Sequence, residues 1–332
     1  MQDQIIAAVL VSTIAFFTVY FFTPLLIKFL EKRNVMVKDY HRKGGAMVAR
    51  PGGPAIISGI VASEMALYVL MPIVRVEISA IVITTILAFF VGLVDDKKVM
   101  GGWFKPLALA LTAVPIILLG AYDSDLAFPL FGAVNIPLLY IVVAIFMIPI
   151  TGNTINSIDV LNGVASGFMV IASSALTISL IILENYEIAI ASLSLVFVSL
   201  AFYKYHKFPS KIFPGDSGAL TLGAMYGAIA IVGEVEVIAA IALGPAIINS
   251  FLFLSSMKRI VEHREIKSKP VVLMDDYKLK ATSDKDASVT LVRLILAGGP
   301  LTEKEIGSVI FKLKVFSGFL AILTAFLMGV SL

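Results

Sequence analysis

The 332-residue sequence predicts an all-α polytopic membrane protein with about ten transmembrane helices and both termini outside. Three observations carry that prediction. Hydrophobic residues make up 59% of the chain and charged residues only 15%, far from the balance of soluble domains. The apolar residues fall in continuous runs of about twenty, the length a helix needs to cross a hydrocarbon core of about 30 Å, and not in the alternating pattern of a barrel strand. Lys and Arg gather in every second connection, as they do when loops alternate between two faces of a membrane.

The spans are expected near 5–30, 54–72, 77–94, 105–121, 136–154, 160–182, 187–204, 217–232, 235–256 and 314–331. In the first of them Lys32 and Arg33 follow the apolar run, so a retained helix is expected in place of a cleaved signal peptide. The chain reads as one domain over 1–332, with a single sizeable polar segment at 257–313 that is too short to build a large core of its own. No tandem repeat and no low-complexity segment interrupts it.

Orientation follows from the basic residues. One set of connections holds Lys32, Arg33, Lys38, Arg42, Lys43 and Arg50, then Lys97 and Lys98, then Lys204, Lys207 and Lys211, then Lys258, Arg259, Arg264, Lys267 and Lys269. The opposite set holds Arg75 and otherwise acids: Glu77, Asp123, Asp125, Glu184, Glu187, Glu234 and Glu236. The basic set is expected in the cytoplasm. A basic cytoplasmic face suits lipid headgroups, phosphates and nucleotides alike and does not choose among them. The absence of cysteine excludes disulfides and thiolate metal sites.

The unusual polar residues all land on that basic side. Asp95 and Asp96, in FFVGLVDDKKVMGGWFKP, close the third span at the electronegative end of its helix, where a cation, with a divalent metal the first candidate, is expected to balance them, and Lys105 opens the fourth. The fifth span ends in PITGNTINSIDVLNG, placing Asn153, Asn156, Asp159 and Asn162 at three-residue steps, a row able to turn three members toward one cavity. The eighth begins in FPGDSGALTLG, where the N–H groups around Gly215, Asp216, Ser217 and Gly218 would form a phosphate site at a helix N-terminus. Taken singly, each cluster is also explained by a solvated loop, an interhelical Asn contact or an N-cap. Together they offer hard oxygen donors from three helix ends at one surface, the kind Mg²⁺ prefers. His263 and Arg264 stand in the basic stretch MKRIVEHREIKSKP, and Arg can grip a phosphate with its planar fork.

These motifs, in this order, resemble those of the polyprenyl-phosphate N-acetylhexosamine-1-phosphate transferases, and the resemblance covers most of the chain: the GGP element at 52–54, Asp95 and Asp96 with Lys105, the Asn/Asp row, Gly215 with Asp216, and the late His–Arg loop. The resemblance implies a cytoplasmic site in which Asn156 and Asp216 hold Mg²⁺, with Mn²⁺ the alternative ion. It further implies that Phe213 stacks on uracil, Asn162 bonds the edge of that base, and His263 and Arg264 touch sugar and diphosphate. Lys105 would neutralise phosphate charge, Asp95 and Asp96 would handle the lipid phosphate, and Lys43 in KDYHRKGG would help close the site. Asn153 and Asp159 complete the expected substrate-binding and catalytic sets.

Within that family the sequence looks most like the archaeal and eukaryotic branch that uses UDP-GlcNAc and a dolichyl-type phosphate, through PSKIFPGD, through Asn162 with Gly163, and through Pro245 and Asn249 in LGPAIINSF. Asp159 departs toward the bacterial pattern, and Glu262 stands before His263 where the eukaryotic enzymes carry a basic residue. The partners expected are UDP-GlcNAc, a polyprenyl phosphate, membrane lipid and a second copy of the chain, with no nucleic acid, in a prokaryotic and archaeal plasma membrane. An ion-coupled secondary transporter is the rival reading, and it has to use Glu64, the one acid well inside an apolar run.

Overall fold

The computed structural model describes residues 2–42, 44–98, 100–257 and 268–329. Lys43, Glu262, His263 and Arg264 therefore lie outside the described residues. Among the described residues, eight helices are long and apolar enough to cross a membrane. They are α1 (Gln2–Lys32), α2 (Gly53–Leu70), α3 (Arg75–Lys97), α6 (Pro137–Ile158), α7 (Val164–Ile182), α8 (Tyr186–His206), α9 (Gly215–Val232) and α13 (Glu303–Met328). The chain is a polytopic helical membrane protein, and its outermost helix shows it: α1 presents Phe17, Phe21, Leu25 and Phe29 outward, a surface suited to lipid and costly in water.

The two remaining expected spans are broken, each at a proline. Pro115 has no N–H to give the carbonyl of Leu111, so α4 (Phe104–Leu111) ends there and α5 (Val114–Leu118) starts anew. Pro245 likewise leaves the carbonyl of Ile241 without a donor, and α10 (Glu236–Ala242) meets α11 (Gly244–Met257) at a bend of 74°. The stranded carbonyls at that break are taken by the last helix: Ser317 donates to Ile241 and Ala242, and the buried Lys314 ammonium donates to Ala242 while lying 4.6 Å from the Phe168 ring centroid. A charge inside a membrane helix is tolerated where backbone carbonyls and an aromatic face receive it.

Both broken segments make contacts toward both ends of the bundle. Lys105 of α4 lies against Asp95 at the end of α3, while Tyr122, just past α5, stacks on Tyr140 at the start of α6 with centroids 5.5 Å apart. Glu236 of α10 accepts from Tyr140, and Asn249 of α11 donates to Ser157 near the other end of α6. Tyr140 and Ser157 are separated by about 25 Å along the helix at 1.5 Å per residue.

At the centre stands α9, buried over its whole length. Its run of Gly, Ala and Ser lets neighbouring backbones come close, the usual device of membrane helix packing. A Cβ on Gly223 would sit 2.5 Å from the Thr151 carbonyl oxygen of α6.

Connections depart from the all-α expectation. Among the described residues, three two-stranded antiparallel hairpins pair β1 (Met36–Lys38) with β2 (Met47–Ala49), β3 (Asp125–Phe128) with β4 (Gly132–Asn135), and β5 (Val271–Leu273) with β6 (Leu279–Ala281). The last helix begins at Glu303, eleven residues before the expected 314, because Thr302 and Glu305 form a reciprocal capping box in polar sequence. Ahead of it, the Arg293 guanidinium of α12 (Leu291–Ile295) donates to the carbonyls of Ala287, Ser288 and Asp284 and so folds the segment onto itself.

Candidate active site

The site forms where α3 ends and α9 begins. Gly92 allows the contact: a Cβ there would sit 2.5 Å from the Cα of Ser217. One turn later Asp96 reaches the N-terminus of α9 and accepts the N–H groups of Asp216 at 3.0 Å and Ser217 at 2.9 Å. A carboxylate from one helix thus caps another, satisfying orphan donors and placing negative charge at the positive end of the dipole. Gly215, at φ +70°, makes the turn into α9, and a Cβ on it would meet the Asp96 oxygens at 2.8 Å. The expected phosphate site at the free N–H groups of 215–218 is corrected here, since two of those groups are already bonded to Asp96.

Asp95 is wholly buried. Its Oδ1 accepts from Met100 N at 2.8 Å and closes the turn after α3, and its Oδ2 lies 2.7 Å from Lys105 Nζ. The cation that the acidic helix end required is therefore a lysine. Lys105 also reaches Asp216 Oδ1 at 3.0 Å.

Asp216 is the node of the site. Besides Lys105 it receives Asn156 Nδ2 at 3.0 Å and Arg50 Nη2 at 2.6 Å, and the same Arg50 nitrogen lies 3.0 Å from Asp96 Oδ1. Arg50 is held in place by its neighbours. Phe213 N donates to Ala49 O at 2.9 Å, Gly52 N to Phe213 O at 2.8 Å and Gly53 N to Pro214 O at 3.1 Å, which zips the segment after β2 onto the chain entering α9. Asp95, Asp96, Asp216, Arg50 and Lys105 thus form one linked group of buried and half-buried charges.

The row of Asn153, Asn156, Asp159 and Asn162 does not turn as one helical face toward a cavity. α6 stops at Ile158, and the row is divided. Asn153 donates to the Pro149 carbonyl of its own helix at 2.9 Å, an oxygen free to accept a side chain beside the helix ladder. Asn156 alone joins Asp216. Asp159, at the C-cap, lies 3.6 Å from His206 Nε2, and His206 Nδ1 is 2.9 Å from Ser166 Oγ. Burial pushes the Asp159 carboxyl up to about 7, with Arg50 opposing. Asn162 is joined to Asp39, Glu303 and Ser210. Phe213 is half-buried, with its ring edge-on to His206 at 6.1 Å.

Arg50, Asp39, His206 and Glu303 are the residues that motif reading passed over. Arg50 carried a signal, standing directly before the PGGP run, but read only as one more basic residue of its face. Glu303 sits in a helix-start pattern, and His206 at the end of an apolar run; neither has a motif of its own. Glu64, on which a transport reading depends, accepts from Ser194 of α8 in a buried contact between helices.

The donor types at the node fit a hard divalent ion. Asn156 spends its Nδ2 on Asp216, leaving the carboxamide oxygen as a donor beside the carboxylate. Among the described residues no group of three or more His, Asp or Glu side chains is arranged to hold a metal. An ion here would take few protein ligands and complete its shell with water and phosphate oxygens, as Mg²⁺ does at phosphoryl-transfer sites.

Carboxylates locked to Lys and Arg at the common end of several membrane helices mark the candidate active site of a polytopic membrane protein. The family model of glycosyl transferase family 4 matches residues 78–234, which run from α3 through α9 and so include most of the node. The chain belongs to this family. It is 30% identical over 82% of its length, and 86% of the relative's, to a Saccharolobus solfataricus protein named as a UDP-N-acetylglucosamine–dolichyl-phosphate N-acetylglucosaminephosphotransferase. A Methanocaldococcus jannaschii protein named as a glycosyltransferase is 30% identical over 92% of this chain and 93% of its own. A Bacillus subtilis protein named as an undecaprenyl-phosphate N-acetylglucosaminyl 1-phosphate transferase is 29% identical over 70% of this chain and 65% of its own.

Proposed function

We propose that this protein transfers GlcNAc-1-phosphate from UDP-GlcNAc to a polyprenyl phosphate of the dolichyl type, giving polyprenyl-diphospho-GlcNAc and UMP. The observation that carries the reading is the Asp216 node, where one buried carboxylate gathers Arg50, Lys105 and Asn156 from three other segments. The names of the archaeal and bacterial relatives support the nucleotide sugar and the lipid phosphate as substrates. The site faces the cytoplasm, the bundle has ten crossings when both broken segments are counted, and the membrane is a prokaryotic plasma membrane.

An oxygen of the lipid phosphate attacks the phosphorus that bears the sugar; the bond from that phosphorus to the UMP oxygen breaks, and UMP departs with the electron pair. Both reactants are anionic, so positioning and charge neutralisation supply most of the rate. Lys105, held by Asp95 and Asp216, and Arg50, held by Asp96 and Asp216, bring fixed positive charge to the diphosphate. The attacking phosphate is largely ionised at neutral pH and needs no strong base, which favours direct displacement over a covalent aspartyl intermediate. Asp216 and Asn156 would hold Mg²⁺, which would supply further neutralisation of the diphosphate when bound. His263 and Arg264 contribute to sugar and diphosphate binding, and Lys43 helps to close the site.

Purified protein given UDP-GlcNAc, a polyprenyl phosphate and Mg²⁺ is expected to release UMP. Asp216→Ala is expected to lower that release by roughly a thousandfold, the scale of removing a principal electrostatic group. Release that survives the substitution at full rate overturns the assignment of the node, and release that survives chelation overturns the metal.

A further inference from the structure

Past the bend at Pro245, α11 packs against α6, and Asn249 on its second turn stands at the contact. A carboxamide has two N–H donors and an oxygen with two lone pairs. Asn249 is buried, and it uses both kinds of group inside the protein. Its Nδ2 donates to Ser157 Oγ at 2.8 Å and to the Ser157 carbonyl at 3.2 Å, and its Oδ1 accepts Leu291 N at 2.9 Å. The orientation is not free to invert, because a flip would set oxygen against the Ser157 carbonyl and N–H against the Leu291 N–H. Both backbone partners are helix-end groups. α6 stops at Ile158, so the Ser157 carbonyl is among the last four, which have no partner within the helix; Leu291 opens α12, and its N–H is among the first four. One side chain of α11 thus closes the C-terminus of α6 and the N-terminus of α12. A second bond ties the same two segments, since Ser256 Oγ accepts Val289 N at 3.0 Å.

Ser157 directly follows Asn156, whose Nδ2 reaches Asp216 Oδ1 at 3.0 Å from the same last turn of α6. Helix ends fray, and a last turn whose carbonyls lose their partners frays more readily. We infer that Asn249 is a positioning residue for Asn156: it holds the last turn of α6 closed, and so keeps the Asn156 carboxamide beside Asp216, where the two can take a divalent ion. The inference rests on the proposed function, in which these two residues hold the metal. It adds a residue of another helix on which that holding depends. A sub-ångström shift matters here because a small hard ion such as Mg²⁺ demands near-ideal geometry from its ligands.

The probe is Mn²⁺, titrated into the full-length protein in detergent without nucleotide or lipid phosphate, with the free ion read by electron paramagnetic resonance and Asp216→Ala giving the background. Asn249→Leu keeps a side chain of similar size and removes the bonds to Ser157 and Leu291. Mn²⁺ should bind it about tenfold more weakly, the scale of one lost hydrogen bond. Ser157→Ala removes only the hydroxyl and should weaken binding about threefold. In the double variant binding should be no weaker than in Asn249→Leu alone, because the two substitutions break one contact. The Mg²⁺ concentration for half-maximal UMP release should rise in parallel, while KM for polyprenyl phosphate stays within about twofold. An Asn249→Leu protein that melts at lower temperature but binds Mn²⁺ as the wild type does overturns the inference, as do effects that multiply in the double variant. If gel filtration shows Asn249→Leu to be misfolded, Ser157→Ala carries the test, and wild-type affinity there overturns the inference. Variants that match a wild type able to bind Mn²⁺ and release UMP overturn this inference alone, whereas a wild type that binds no Mn²⁺ above background overturns the assignment of the metal to Asn156 and Asp216 as well.

Discussion

Asp159 shows how one position in a motif acquires a character that spacing does not reveal. In the sequence it is the third member of a regular Asn/Asp row; in the fold it caps α6 beside His206, and burial raises its pKa from 3.8 to about 7. An acid whose folded pKa is raised binds more protons in the folded state than in the unfolded one between the two values. Stability therefore declines as pH rises from about 4 to about 7 and is level above, by a few kcal/mol at most. Asp159→Asn cannot titrate and should lose that slope. Without substrates or divalent ions, the Tm of the variant minus that of the wild type should grow between pH 4 and pH 7 and then stay constant; a difference that is flat with pH sinks the argument. Asp95, Asp96, Lys105 and Asp216 were legible because charge at the end of an apolar run is rare and stands out, and Asn156 because it belongs to a regular Asn/Asp row. Arg50, His206 and Glu303 were not, because their roles come from pairing across 40 to 166 residues of chain, which no local pattern records.

Hydropathy located the helices well, since the bilayer imposes one length and one composition on each. It located their ends less well where capping or proline governs: α13 starts early at its capping box, and Pro115 and Pro245 divide two spans. What hydropathy could not show is which helices touch. The contact on which the node depends is α3 against α9, and Gly92 is its pivot. Gly92→Ala would press a methyl group to 2.5 Å from the Ser217 Cα, against backbone that cannot swing aside. The helices must separate, which pulls Asp96 off the N-terminus of α9. Overpacking of this kind costs about 1–3 kcal/mol, and the lost cap adds to it. The variant should melt at lower temperature and lose most of its UMP release. Gly152→Ala is the matched comparison, because its nearest neighbour, a Leu109 methyl, is 3.4 Å away and the substitution should leave both Tm and turnover near wild type. Equal behaviour of the two variants would remove close α3–α9 approach as the support of the site.

The whole molecule is organised by depth. The node, the contacts of Asn162 with Asp39 and Glu303, and the end of α11 share one end of the bundle, while the β3–β4 hairpin and the Tyr122, Tyr140 and Glu236 contacts share the other. Between that hairpin and the β5–β6 segment the chain passes through α6, α7, α8, α9 and the bent α10–α11 pair. If the pair is one broken span these are five crossings, an odd number, and the two hairpins lie on opposite sides of the membrane. If the pair instead enters and returns, the number of crossings is four and both hairpins lie on one side. The bonds from α10 to one end of α6 and from α11 to the other favour the first arrangement. Because the chain has no cysteine, the choice is open to a clean labelling experiment. Ala133→Cys in β4 and Lys285→Cys in the polar segment are both exposed positions and keep the site intact. With a membrane-impermeant maleimide, intact cells should label residue 133 and not 285, and inverted vesicles should label 285 and not 133. Labelling of both from the same side would make α10–α11 re-entrant. The reverse pattern, 285 from outside and 133 from within, would turn the node away from the cytoplasm, where a nucleotide sugar could not reach it.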